Sequence, residues 1–266
     1  MKFELGIIGA GVMANALLTQ ILNKEVLPCN KLTIYDINKS KCFDINKEIN
    51  VSDNIQSLID NSNMVLFAVK PQNYLDICKA NTFRDDMTVL SIMAGVKIGT
   101  IRQNINNYKC GVLRIMPNMP CKIGKGICAL CFDKVDTTKK EILCNIFKAS
   151  GDIIQLEESK FDAVTSISGS GPAYVYMFLQ GMINGGQNGG LSYEESKKLA
   201  IATLIGASEI CKTTSEELDT MINKVCSKGG TTIEAVNVYK DSDLVGIITK
   251  GVDACRQRSE ELSKLL

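Results

Sequence analysis

Short apolar runs recur along residues 1–157, at Phe3–Ile8, Lys31–Tyr35, Met64–Ala68, Thr88–Ile92, Gly111–Ile115, Ile127–Phe132 and Asp152–Gln155. Most are near-continuous in hydrophobicity rather than alternating, which predicts strands buried on both faces. Between them, apolar positions recur at helical spacing near residues 12–25, 54–60, 72–80, 98–106 and 136–149. A chain that alternates such strands with helices predicts an α/β fold, with a mostly parallel sheet covered on both sides.

The pattern changes after Leu156, and no strand signal recurs. Gly171 before Pro172 places a proline in the first turn of a helix. Ser192 with Glu195, Thr214 with Glu217, and Thr231 with Glu234 have the spacing of capping boxes. Asp241-Ser242-Asp243 opens a last helix. One α/β domain over residues 1–157 and one all-helical domain over 158–266 follow.

Within the second domain, the polar side chains of Pro172–Asn188 are Gln180, Asn184, Gln187 and Asn188, which form one narrow stripe. The rest of that helix is apolar nearly all round and demands burial on almost every side. A homodimer with intertwined helical domains would cover it; a central helix inside a monomeric bundle is the alternative.

Composition removes several classes of function. Thirty basic residues against twenty-nine acidic ones give +1, so no basic field is available for nucleic acid or an anionic membrane. Trp is absent, which weakens any stacking platform for bases. His is absent too, which excludes Ser-His-Asp and Cys-His catalysis, the H-E-x-x-H zinc site and an imidazole base. The eleven Cys are scattered and odd in number. The single C-x-x-C, Cys128 and Cys131, falls in a strand with no second pair to complete a zinc site, so no metal is expected. Two uncharged stretches, Leu5 to Asn23 and Ala163 to Tyr193, are interrupted by glycines and polar residues, so neither predicts a membrane span. With no signal peptide and many free thiols, a cytoplasmic protein is expected.

The chemistry begins at Gly9-Ala10-Gly11-Val12-Met13-Ala14, directly after the first strand and at the start of the first helix. This is G-x-G-x-x-A in the setting that a dinucleotide fingerprint requires: a tight turn, close backbone approach by a pyrophosphate, and a helix N terminus that favours anions. The first domain is therefore expected to be of Rossmann type. Asp36, at the end of the second strand, sits where an acid accepts from the adenosine ribose, which tilts the reading towards NADH. Asn38, Lys39 and Lys41 follow it and suit the 2′-phosphate of NADPH instead. Ala68-Val69-Lys70-Pro71-Gln72 ends another strand at the ligand-binding edge, and Ala94-Gly95 and Met116-Pro117-Asn118-Met119-Pro120 end two more. Prolines on both sides of Asn118 stiffen a loop suited to wall a nicotinamide pocket. In the second domain, Ser227-Lys228-Gly229-Gly230-Thr231-Thr232 precedes a helix and gathers backbone amides and hydroxyls around one point, as a carboxylate site would.

Five segments occur in a telling order: Gly6 to Ala14, Ala68-Val69-Lys70-Pro71-Gln72, Arg114-Ile115-Met116-Pro117-Asn118, Ser168-Gly169-Ser170-Gly171-Pro172-Ala173-Tyr174, and Gly229-Gly230-Thr231-Thr232. Together they resemble the pyrroline-5-carboxylate reductases. The resemblance implies NADPH- or NADH-dependent reduction of L-1-pyrroline-5-carboxylate to L-proline, the last step of proline biosynthesis. It also implies a C-terminal helical dimerisation domain, with dimers that assemble further into decamers. Residues matching Gly9, Ala10, Gly11, Val12, Met13, Ala68, Val69, Lys70 and Ala94 would bind the cofactor. Asn54 lies near a family asparagine that touches the adenosine end. Ser227, Gly229, Gly230, Thr231 and Thr232 would hold the substrate carboxylate, with the Thr232 hydroxyl bonded to the ring nitrogen. Lys228 stands where the family usually has Pro, and Met119 where it usually has Thr.

Two rivals fare worse. A β-hydroxyacid-type dehydrogenase is expected to carry a catalytic Lys on the helix beginning near Pro172, yet no Lys occurs from Pro172 to Leu191. A non-catalytic dinucleotide sensor has no need of the Gly229–Thr232 segment.

Overall fold

The computed structural model describes residues 2–264. Among the described residues one sheet contains every strand: β1 (Phe3–Ile8), β2 (Leu32–Tyr35), β3 (Asn50–Val51), β4 (Ser62–Phe67), β5 (Thr88–Ser91), β6 (Gly111–Met116), β7 (Gly126–Asp133) and β8 (Gly151–Gln155). Their spatial order is β3-β2-β1-β4-β5-β6-β7-β8. Neighbours run parallel except at β6–β7, so β7 and β8 point opposite to the rest. The helices of this part are α1 (Val12–Asn23), α2 (Ser40–Ile45), α3 (Ile55–Asp60), α4 (Pro71–Ala80), α5 (Ile98–Asn104) and α6 (Thr137–Lys148).

The continuous apolar strands have the predicted consequence. Leu5, Ile7, Leu66, Leu113 and Ile115 enter a core on one face, while Ile8, Val65, Phe67, Val89 and Val112 enter a separate core on the other. Successive side chains point to opposite faces, so each strand anchors both helical layers.

Two small elements escaped the sequence pattern. Helix α2 buries only Cys42, and β3 is two residues long. Neither is long enough to display a period. The first helix also ends earlier than its apolar spacing suggests, because Glu25 turns left-handed with φ 54°. Helix α5 likewise stops at Asn104, before a left-handed Asn106.

The remainder is helical: α7 (Phe161–Val164), a π-helical turn at Thr165–Gly169, α8 (Gly171–Asn188), α9 (Tyr193–Thr213), α10 (Leu218–Val225), α11 (Thr231–Asp241) and α12 (Leu244–Lys264). Of the three proposed capping boxes, only Ser192–Glu195 forms, with the amide and carboxyl exchange complete. Thr214 instead closes a short turn by accepting from the Glu216 amide, and α10 starts four residues later. Thr231 is already inside α11, whose N-cap is Gly230.

By compactness the chain forms two units, one of residues 2–172 with 255–264 and the other Ala173–Ala254. The strand pattern ends earlier, near residue 157, because the first unit also includes α7 and the π-helical turn. The end of α12 belongs there as well: Ser259 and Ser263 donate to Asp162 at 2.6 and 3.3 Å, and the Cys255 thiol donates to Ser170 at 3.2 Å.

In the second unit, α8 buries only Ile183, while Tyr176 is 63% and Met177 76% exposed. A bundle that surrounds α8 within one chain is thereby overturned. No helix among the described residues is long and apolar enough to cross a membrane.

Candidate active site

The strand order reverses at β1, which lies between β2 and β4. Ligands of open α/β sheets bind at such a switch point, beyond the carboxyl ends of the strands. Here those ends are in register: Ile8 pairs with Tyr35 and Phe67, Phe67 with Ser91, and Ser91 with Arg114. The segments after them therefore form one continuous rim. Asp36, Gly9–Met13, Ala68–Lys70, Ala94 and Asn118 all lie on it.

Gly9 takes φ +106°, and a Cβ there would lie 2.6 Å from the Ala68 carbonyl oxygen. Its amide donates to Tyr35 O at 2.7 Å, and the Ala68 amide donates to Ile8 O at 2.9 Å. The turn is therefore wedged between two strands. Gly11 is the opposite case: it has ordinary φ −73°, and a Cβ would meet nothing closer than Ala68 O at 4.0 Å. As N-cap of α1 it offers no side-chain cap, so the first-turn amides keep their donors for an anion. This open cradle fits a dinucleotide pyrophosphate. Val12, 69% exposed, is an apolar wall at its mouth.

Asp36 is drawn into the cradle. Its Oδ2 accepts from the Ala10 amide at 2.8 Å and its Oδ1 from the Asn38 amide at 2.9 Å. The carboxylate thus braces the glycine turn as well as facing the rim. Asn38 accepts from the Ser40 amide and hydroxyl, and Lys39 pairs with Asp53 at 3.7 Å. Asn54, at the β3 end, uses Oδ1 to cap α3 through the Ser57 amide, which leaves its NH2 group to donate elsewhere. Lys70 is exposed at the N-cap of α4. Ala94 is exposed on a turn closed by Gly95 at φ 78°.

Asn118 is buried, and its Oδ1 accepts from the Ile127 amide at 3.0 Å. That bond ties the loop after β6 to β7. Cys121 follows on the same loop, with its Sγ 3.8 Å from Cys128. Shared hydrogen bonding holds the Cys121 thiol below its ordinary value and, with burial, pushes Cys128 up. The close thiol pair is therefore Cys121–Cys128, not the C-x-x-C that the sequence displays. No group of three potential metal ligands occurs among the described residues.

In the second unit, Ser227–Gly230 is a turn closed by Gly230 N–H to Ser227 O at 3.0 Å. Gly229 sits at φ +69° and Lys228 at the position before it, an arrangement that suits a type II turn. Gly230 then caps α11 without a side-chain bond, so the α11 amides at Thr231 and Thr232 remain open to an anion. Thr232 is half-buried and lines an apolar groove of about 690 Å³ with Ile210, Leu218, Ile222, Val225 and Val236.

Sequence reasoning missed one feature beside the rim. Arg114 and Glu158, 44 positions apart, form an ion pair at 2.9 Å. Arg114 appeared only as part of a motif and Glu158 as an ordinary charge, and nothing in their spacing joins them.

A doubly wound sheet with an open pyrophosphate cradle at its switch point defines a Rossmann-type dinucleotide-binding protein. Residues 4–95 match the family described as NADP oxidoreductase, coenzyme F420-dependent, and residues 158–262 match pyrroline-5-carboxylate reductase dimerisation. A pyrroline-5-carboxylate reductase of Synechocystis is 34% identical, with 99% of this chain and 100% of that protein covered. One from Arabidopsis thaliana is 30% identical over 99% and 96% of the two chains. The crystal structure of the Plasmodium falciparum pyrroline carboxylate reductase with NADP bound superposes with TM-score 0.90 at 28% identity, covering 98% of each chain. The chain belongs to the pyrroline-5-carboxylate reductase family.

Proposed function

We propose that this protein reduces the C=N bond of L-1-pyrroline-5-carboxylate to give L-proline, with NADPH or NADH as reductant. The carrying observation is an end-to-end likeness to the family in a chain that keeps both the open cradle at Gly11 and the uncapped helix start at Gly230. When bound, the reduced dinucleotide supplies the hydride. The first-turn amides of α1 hold its pyrophosphate, Asp36 and Asn54 face its adenosine end, Lys70 lies along it, and Ala94 and Asn118 wall its nicotinamide end. Ser227, Gly229, Gly230 and Thr231 hold the substrate carboxylate, and the Thr232 hydroxyl bonds the ring nitrogen. A cyclic imine is basic enough to be protonated near neutrality. The protein's task is then orientation rather than proton transfer, which suits a chain without His.

In this reading residues 1–157 bind the dinucleotide, and 158–266 hold the substrate and a second copy. The end of the strand pattern and the start of the dimerisation match at residue 158 support that boundary. The exposed apolar residues of α8 support a homodimer, and the resemblance extends it to a decamer of five dimers. A cytoplasmic setting suits eleven free cysteines. The test is to follow nicotinamide oxidation with each cofactor and the imine, together with sedimentation of the protein. Proline formation by an oligomer is expected. A folded, cofactor-binding sample that makes no proline would refute the activity, and a monomer would refute the assembly. The ratio of the two kcat/KM values measures what Asp36 contributes, and Asp36→Ser should raise the NADPH share.

A further inference from the structure

Arg114 lies in the middle of the sheet on β6 and is only 2% exposed. Its guanidinium has three surroundings. Nη1 donates to Glu158 Oε1 at 2.9 Å, the group lies 4.7 Å from the centre of the Phe161 ring, and Nε has no hydrogen-bond partner among the described residues. Glu158 Oε1 does a second job. It also accepts from the Ile98 amide at 2.7 Å, the first amide of α5.

These bonds join segments that the chain keeps far apart. Ile98 follows the Ala94–Gly95 turn, and Arg114 precedes Met116-Pro117-Asn118 on the same strand and loop. Phe161 packs with Met116 in a small core of its own, and a Cβ at Gly169, in the π-helical turn, would come within 3.8 Å of the Met116 sulfur. Beyond the β5–β6 ladder, a single carboxylate oxygen therefore ties the start of α5, after the Ala94 turn, to the strand that leads into the Asn118 loop, and the stacked guanidinium joins both to the start of the helical segment.

We propose that Glu158 and Arg114 are positioning residues for the reaction, holding the two walls of the nicotinamide end at the separation that hydride transfer requires. The inference rests on the reductase reading above. The adenosine end lies on the far side of β1, along β2 and β3, and shares no residue with this device. The two ends of the cofactor site should therefore respond independently. Loss of the carboxylate also leaves the Arg114 charge buried without its counter-ion, which forces the guanidinium to move. A shift of about 1 Å between reacting groups is enough to cost roughly 100-fold in rate.

The experiment compares Glu158→Ala, Glu158→Gln and Arg114→Lys in the full-length protein, per folded active site. Glu158→Ala should lower kcat about 10- to 100-fold, with the affinity for adenosine 5′-monophosphate, the part of the adenosine end that NADH and NADPH share, unchanged. Glu158→Gln keeps an oxygen for both donors and should recover most of kcat. Arg114→Lys keeps the charge but loses the planar face over Phe161, and should fall between. Phe147, buried on α6 in the core that includes Leu5 and Ile7, gives the control for lost stability: Phe147→Leu should leave kcat per folded site intact. If Glu158→Ala does not fold, the order of kcat among wild type, Glu158→Gln and Arg114→Lys decides. Wild-type kcat in both Glu158→Ala and Arg114→Lys, or equal weakening at the adenosine probe, would overturn the positioning role while leaving the reductase reading intact. An inactive wild type would instead strike that reading itself.

Discussion

Replacing Gly11 with alanine separates folding from cofactor binding in a way the structure makes quantitative. The residue has φ −73° and ψ 178°, a conformation open to any residue, and the added methyl group meets no atom closer than 4.0 Å. As an N-cap, alanine is worse than glycine by up to about 1 kcal/mol. It also restricts the unfolded chain, which offsets about 0.4–1 kcal/mol. The net change in stability should therefore lie within about 1 kcal/mol. Binding is a different matter, because the methyl group would stand where the pyrophosphate approaches the α1 amides. Loss of one charge-assisted hydrogen bond costs about 1.5–3 kcal/mol, which weakens NADPH roughly 10- to 150-fold. Urea denaturation and fluorescence titration of NADPH measure the two quantities on one sample. Gly9→Ala is the internal contrast: its Cβ would sit 2.6 Å from a backbone oxygen at φ +106°, so stability itself should fall by more than the ~1–2 kcal/mol of a left-handed residue. Unchanged NADPH affinity in Gly11→Ala would refute the placement of the pyrophosphate.

Thr232→Ala should cost about 1–3 kcal/mol of transition-state stabilisation, roughly a 5- to 150-fold drop in kcat/KM; unchanged kinetics would remove the hydroxyl from the reaction. Lys228 occupies the turn position that proline favours, so Lys228→Pro should stabilise the fold by about 0.4–1 kcal/mol in thermal denaturation. A lowered Tm would show that the turn is not of the type inferred. Burial pushes the Cys78 thiol up to about 12 from an ordinary 9.0, so the native state keeps a proton that the unfolded chain releases. Stability should then fall as pH rises from 9 towards 12, by about 1.4 kcal/mol per pH unit for this one group. Cys78→Ala should flatten the slope of alkaline unfolding by that amount, and an unaltered slope would refute it.

Much of the site was legible because its chemistry is local. Gly9, Gly11 and Ala14 declare a turn and a helix start within six positions. Gly229 and Gly230 before Thr231 and Thr232 declare a helix start that gathers amides and hydroxyls in the same way. Glu158 could not be read so, since its partners Arg114 and Ile98 come from two different strand–helix units. Capping signals illustrate the same limit. Thr231 and Glu234 have the right spacing, yet Gly230 takes the cap because the turn from Ser227 delivers the chain one residue earlier. The pair Cys121–Cys128 is invisible in a sequence that advertises Cys128 and Cys131, because β7 sends neighbours three apart to opposite faces.

The sequence by itself determined the α/β and all-helical halves, the dinucleotide turn and the family, because periodicity and contiguous motifs are set by residues near one another in the chain. Only the tertiary structure decided which rim residues share a carboxylate, which thiols meet, and that α8 lies open for a second copy. Those depend on strand order and register, which bring together residues tens of positions apart, and no local spacing encodes that distance.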